Sequence, residues 1–275
     1  MTCKGRVLVL GGSGMLGNAV GAHFINSGWD VTVSFRKSGQ HVAYGPKRIE
    51  FDALSSSLDD LPTSFDYLIN CIGIIKPFMA ADPIAARLVN AVFPWKLADW
   101  CSKHGIKMIH ITTDCVFSGA KGKYVESDLH DALDDYGKSK SLGEPVDRCM
   151  VLRTSIIGEE IHKNASLIAW AKNQKGKAVK GFTNHFWNGV TTKQYAKACD
   201  SIMSDGLWEK GLFHIFAPEA VSKYDMMAFF NEKFDLGLAI EPFEAKPACD
   251  RSMASIKPLC EKLRVPTVKE QVMSL

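Results

Sequence analysis

Tyr136 and Lys140 stand four residues apart in Tyr136-Gly137-Lys138-Ser139-Lys140, a spacing that puts both on one helix face. A free phenol titrates near ~10, so alone it exchanges protons poorly at neutral pH. A neighbouring ammonium, or positive charge on a bound group, favours the phenolate and makes such a tyrosine an acid–base catalyst. Taken singly, the pair is also a common surface contact. Upstream, Thr112-Thr113-Asp114 ends an apolar run, where a hydroxyl can meet a carbonyl oxygen as charge develops on it. The bland alternative for the two threonines is β-propensity alone.

The third constellation is Gly11-Gly12-Ser13-Gly14-Met15-Leu16-Gly17, with Gly11, Gly14 and Gly17 three apart after an apolar run. In a strand–turn–helix context, the first glycine makes the tight turn and the second lets a pyrophosphate approach the backbone. The third lets helix and strand pack closely, and the helix N-terminus faces the phosphates. Gly11, Ser13, Gly14, Met15, Leu16 and Gly17 are therefore expected to bind a dinucleotide. The second strand ends in Ser34-Phe35-Arg36-Lys37, with two cations where NAD-binding versions place an acid. Arg36 and Lys37 favour the 2′-phosphate of NADPH/NADP+; a solvated basic turn is the alternative. Asp52 and Ala53 are expected at the adenine, and Cys71, Ile72 and Gly73 along the ribose side. Tyr136 and Lys140 are expected to touch the cofactor as well.

The elements that must position these residues alternate. Strands are expected at 6–10, 30–35, 48–51, 66–71, 107–112 and 150–153. Helices are expected through about residue 26, over 82–103 with Pro83 in the first turn, and from about 135. This is an α/β chain with a Rossmann-type doubly wound parallel sheet, since right-handed crossovers permit little else. Residues 1–155 form the dinucleotide-binding domain, with a return segment near 180–206. Residues 156–275 read mainly as a small C-terminal substrate-binding region with shorter helices such as 193–204 and 223–234.

Of the 275 residues, 46% are hydrophobic and 23% charged, an ordinary globular composition. A net charge of +3 with no basic run argues against nucleic acid. No apolar stretch approaches the ~20 residues of a membrane helix, and the first apolar run is too short for a secretory signal. The eight cysteines show no C-x-x-C spacing, so no metal site is expected and reduced cytoplasmic thiols are. Asn164-Ala165-Ser166 matches a glycosylation acceptor and is read as chance.

Together these motifs resemble the extended short-chain dehydrogenases/reductases, and within them the sugar-nucleotide 4-keto-reductases of the dTDP-4-dehydrorhamnose reductase group. The resemblance runs through residues 112–119, Tyr124-Val125-Glu126-Ser127-Asp128, and Tyr136 to Lys140 with Gly143-Glu144. It continues in Val89-Asn90-Ala91, Leu152-Arg153-Thr154, Gly189-Val190-Thr191, Phe213-His214, Ser222, Tyr224 and Arg251. It implies Tyr136 as proton donor, Lys140 as its activator and Thr113 as carbonyl partner. NADPH would deliver hydride to C4 of a 4-keto-6-deoxy hexose carried on a nucleoside diphosphate, in deoxysugar or surface polysaccharide biosynthesis. Lys76, Asn90, Thr113, Cys115, Trp187 and Arg251 would contact the substrate, with a surface role for Lys76 equally open. A homodimer through two long helices is common among such proteins.

Departures from the family pattern leave the sugar open. Cys115 stands where an aromatic residue is usual, Ser252 where a proline is, and residues 183–188 lack the usual Asp-Gln. Cys115 also replaces the glutamate of related dehydratases, and a neutral thiol is a poor substitute for that base. An epimerase reading is weakened by Arg36 and Lys37. A reading from another class is a non-catalytic NADP-binding regulatory protein like the methionine adenosyltransferase β subunit, in which these motifs survive without turnover.

Overall fold

The computed structural model describes residues 3–36, 47–160 and 166–275; Lys37 and the Asn164-Ala165 pair lie outside them. In chain order the elements begin β1 (Arg6–Leu10), α1 (Met15–Asn26), β2 (Asp30–Phe35), β3 (Lys47–Glu50) and β4 (Tyr67–Asn70). There follow α2 (Pro83–Arg87), α3 (Phe93–Lys103), β5 (Lys107–Thr112), α4 (Asp135–Leu142), β6 (Met150–Arg153) and β7 (Ile156–Ile157). Next come α5 (Leu167–Asn173), β8 (Ala178–Phe182), β9 (His185–Trp187), β10 (Val190–Thr191), α6 (Thr192–Ser204) and β11 (Gly211–His214). The chain closes with β12 (Val221–Ser222), α7 (Lys223–Phe234), β13 (Ala239–Phe243), β14 (Cys249–Asp250), α8 (Leu259–Leu263) and α9 (Val268–Met273).

Seven parallel strands form one sheet in the order β11-β6-β5-β4-β1-β2-β3, a Rossmann-type arrangement. Its inner strands are largely apolar because helices cover both faces, whereas the edge strand β3 is charged and mostly exposed. Along β1, Val7 and Val9 join the cluster under α1 and α6, whereas Leu8 and Leu10 face the cluster built on Phe93, Leu97 and Trp100. The two-residue side-chain period thus divides one unbroken apolar run between two cores. The seventh strand, Gly211–His214, is separated from the sixth by a long excursion and lies outside the regular alternation of the first half. The excursion and the C-terminal residues pack a third core of Ile168, Trp187, Met226, Phe230, Leu238 and Val268.

The helix expected over 82–103 is not uniform. Asp82 caps its start by accepting from the Ala85 N–H, and Pro83 takes the first turn. Between α2 and α3, residues Leu88–Val92 widen into a π turn. Pro94 explains this: it has no N–H, and in a regular helix its ring would strike the Asn90 carbonyl. That carbonyl instead faces Gly143, where a Cβ would run into it. The widened turn therefore also lets α4 approach closely.

Candidate active site

The glycine loop is pinned to β2. Gly11 N donates to Ser34 Oγ at 2.9 Å and Gly12 N to the Ser34 carbonyl at 2.8 Å. Gly11 has φ +82°, and a Cβ there would crowd Ile72 Cγ1 and the Cys71 carbonyl at 3.2–3.3 Å. At Gly17 a Cβ would collide with the Gly11 carbonyl, so strand and helix approach as the third glycine of the motif requires. Gly14 is exposed and is the N-cap of α1, with no side-chain cap and no acid in the first turn. That end of the helix suits an anion. On the same helix the Asn18 Nδ2 is buried without a hydrogen-bond partner among the described residues.

The other expected cofactor residues border this cradle. Arg36 is exposed directly after β2. The Asp52 carboxylate accepts from Leu54 N at 2.8 Å, ordering the turn through Ala53. Cys71 N donates to the Leu10 carbonyl at 3.1 Å, and Ile72 N to Asn70 Oδ1 at 3.1 Å. Burial pushes the Cys71 thiol up, aided by Cys199. A Cβ on Gly73 would sit 3.6 Å from Asn90 Oδ1 and 3.9 Å from Lys140 Nζ, so this backbone adjoins the proton-handling pair.

Thr113, Tyr136 and Lys140 converge. Asp134 caps α4 by accepting from Gly137 N at 2.8 Å, which sets the helix that carries Tyr136 and Lys140. A Cβ at Gly137 would collide with the Cys115 carbonyl, so this turn fits only against the loop after β5. Burial raises the Tyr136 phenol well above its usual value, with Cys115 and Asp114 acting in the same direction; its hydrogen bond with Thr113 opposes them. The phenol is therefore held protonated. Thr113 Oγ1 also donates to Asp114 Oδ1 and accepts from Cys115 N, both at 3.1 Å. Lys140 is 5% exposed, and its Nζ donates to the Ile111 carbonyl at 3.1 Å. Burial lowers its pKa to about 8, with Glu144 acting in the opposite direction.

Asn90 is fully buried, and its amide is spent inside the protein. It accepts from Ile74 N at 2.9 Å and donates to the Ile74 carbonyl at 2.9 Å and Ser139 Oγ at 3.2 Å. It clips the loop after β4 to α4. Lys76 makes an exposed ion pair with Asp134 at 2.8 Å, a second link between the same elements.

Beneath the site lies Arg153, fully buried at the end of β6. It bonds both Glu144 oxygens, at 3.1 and 2.6 Å, and donates to His214 Nε2 at 3.0 Å and His130 Nε2 at 2.6 Å. Both histidines accept from a permanent cation, so both are neutral. Burial, followed by Arg153, holds their pKa values below 6.5; burial likewise lowers His110, with Lys140 adding. The unfolded chain binds these protons at higher pH than the folded one, so their neutrality favours folding above about pH 6.5. That contribution is lost as pH falls through the unfolded value. Thermal midpoints measured from about pH 8 to pH 5 should therefore drop on the acid side before the carboxylates titrate. A flat profile to pH 5 would refute this role.

The remaining expected residues lie on the far side of Thr113. Cys115 is half-buried, its thiol pushed up to about 12 by burial and Asp114. Trp187 is buried on β9, with Lys223 over its ring. Arg251 donates to the carbonyls of Phe117 at 2.9 Å and Ser118 at 3.3 Å. Around residues 119–124 the loop pairs with residues 249–254, through Asp250 N to Gly119 O, Tyr124 N to Ser252 O and Ala254 N to Tyr124 O. Arg251, Cys249, Phe182, His185 and Phe243 line a cavity of about 830 Å³ beside this strap.

A family profile described as the RmlD substrate binding domain matches residues 5–255. The chain belongs to that family. This RmlD-family chain is 28% identical over 252 residues to methionine adenosyltransferase 2 subunit beta of Rattus norvegicus, covering 84% of this chain and 72% of that protein. It is 26% identical over 251 residues to dTDP-4-dehydrorhamnose reductase of Aggregatibacter actinomycetemcomitans, covering 82% and 79%. Among solved structures, the dTDP-4-dehydrorhamnose reductase of Bacillus anthracis in complex with NADP superposes with a TM-score of 0.74 at 15% identity, covering 98% of each chain.

Sequence reasoning passed over Ser34, Asp134, His130 and Lys223. Ser34 had a visible signal, a hydroxyl two residues before the basic strand end. Lys223 stands between Ser222 and Tyr224, both of which carry the family pattern, but its own surroundings exist only once α7 meets β9.

Proposed function

We propose that this chain is an NADPH-dependent reductase of a 4-keto-6-deoxy sugar nucleotide. The observation that carries the reading is that Thr113 meets Tyr136 while Lys140, on the same helix, lies beside the backbone of Gly73, at the strand ends where such sheets do their chemistry. The glycine cradle, the uncapped start of α1 and the orphaned Asn18 amide fit a dinucleotide. When bound, NADPH supplies the hydride.

This chain's residues do the rest. Tyr136 hydrogen-bonds the ketone oxygen and gives its proton to the alkoxide that forms at C4, and Thr113 turns its hydroxyl from Asp114 to the same oxygen as substrate binds. Lys140, oriented by the Ile111 carbonyl, keeps further N–H donors for the cofactor ribose. Asn90 and Lys76 serve as positioning residues, because their polar atoms tie the loop after β4 to α4. Arg36 meets the 2′-phosphate. Arg36→Ala should weaken NADPH binding by about 1–3 kcal/mol, the worth of a charge-assisted hydrogen bond, and spare NADH. Equal loss for both cofactors in a titration would remove Arg36 from that role.

The deciding experiment is a panel of 4-keto sugar nucleotides, each followed by loss of NADPH absorbance. Turnover of at least one supports the reductase. The relatives named methionine adenosyltransferase 2 subunit beta favour a second reading, an NADP-binding regulatory protein. A flat panel with intact NADPH binding would select it.

A further inference from the structure

Lys223 opens α7 directly after its Ser222 cap, and its ammonium lies 5.5 Å from the centre of the Trp187 ring. Its hydrogen-bond partner among the described residues is the Met226 thioether at 3.5 Å, a weak acceptor. A half-buried ammonium hydrogen-bonded to a sulfur beside a ring face has given up hydration without an ion-pair contact among the described residues. Burial accordingly lowers its pKa, while Asp114, Cys115 and Cys249 act to raise it and Arg251 to lower it. Those four residues place the ammonium between the loop after Thr113 and the strap carrying β14.

Three features make that position informative. Asp114 is buried beside the catalytic Thr113, to which it is hydrogen-bonded. Arg251 spends donors on the Phe117 and Ser118 carbonyls. Cys249 and Arg251 also line the aromatic cavity of about 830 Å³. At this junction of loop and strap, Lys223 and Arg251 are thus two cations acting on the buried Asp114, and Arg251 also borders the cavity.

We propose that Lys223 binds an oxyanion carried by the substrate at this junction. Two parts of a sugar nucleotide offer that chemistry, the diphosphate and a carboxylate on the sugar. The assignment rests on the nucleotide-sugar reading above and adds to it the residue that reads substrate charge. Lys223 opens a helix whose apolar residues belong to the third core, so a Met side chain of similar length keeps the packing and removes only the charge.

The test is calorimetric titration of the full chain, NADPH-saturated, with UDP, dTDP, uridine, thymidine, UDP-glucose and UDP-glucuronate. Lys223→Met should weaken binding of at least one anionic probe by about ten- to a hundredfold, leave the nucleosides unchanged, and keep the thermal midpoint. Lys223→Arg should recover part of the loss. Weakened UDP and dTDP would assign the diphosphate. Loss confined to the preference for UDP-glucuronate over UDP-glucose would assign the carboxylate. If Lys223→Met binds every probe like the parent chain, the assignment fails and the reductase reading stands. If the parent chain binds NADPH but none of the probes, both fall together.

Discussion

Tyr136→Phe should reduce NADPH-dependent turnover by about 10²–10⁴-fold while leaving NADPH affinity within a small factor of the parent value. The substitution removes one oxygen from a ring of unchanged shape, so packing of α4 on the loop after β5 is kept. What it removes is the acid. Burial, with the nearby Asp114 carboxylate adding, keeps the phenol protonated, which suits a group that must deliver a proton to an alkoxide. The other hydroxyl at hand, Thr113, already donates to Asp114 and cannot replace it without breaking that bond. Single-turnover absorbance measurements on a reducible 4-keto sugar nucleotide, paired with cofactor titration, separate chemistry from binding. Retained turnover would remove Tyr136 from the mechanism.

Arg153→Met should lower stability by about 3–5 kcal/mol, shifting the thermal midpoint by roughly 10 °C or more. The cost comes less from losing the guanidinium than from what it leaves behind. Glu144, 5% exposed at its side chain, would be a buried carboxylate without its cation. His130 and His214 would lose their donor. The Phe117 ring, 5.0 Å from the guanidinium, would lose its face contact. Adding Glu144→Gln should restore part of the loss, because the stranded charge is then gone. Denaturant unfolding of the single and double variants checks both statements; a single variant within about 1 kcal/mol of the parent would overturn the account.

Much of this architecture is legible in residue order. The apolar run 6–10, the three spaced glycines and the Tyr136–Lys140 spacing each encode local geometry, and Thr113 lies against Tyr136. The basic end of β2 is half within view, since Arg36 is described and Lys37 is not. Less legible is anything that depends on tertiary contact. Pro94 marks where the regular helix must break, but the close fit of Gly143 against the Asn90 carbonyl exists only once α4 packs there. Nothing in the sequence announces that the Asn90 amide bonds Ile74 and Ser139, or that Lys76, for which the sequence leaves substrate and surface roles equally open, pairs with Asp134. Arg153 looks like any strand-end arginine until the two histidines, remote in sequence, close around it.

The strap formed by residues 249–254 has a consequence for the order in which the protein is made. The cradle joins Gly11 to Ser34, a separation of 23 residues, and can assemble early in synthesis. The loop after Thr113 is held by Lys123 N donating to Ser252 Oγ across 129 residues, so its partner leaves the ribosome much later. Contacts that distant form late and slowly. A nascent chain would thus hold its glycine cradle well before the loop after Thr113 is tied down, and chains cut short before residue 249 would have the first without the second.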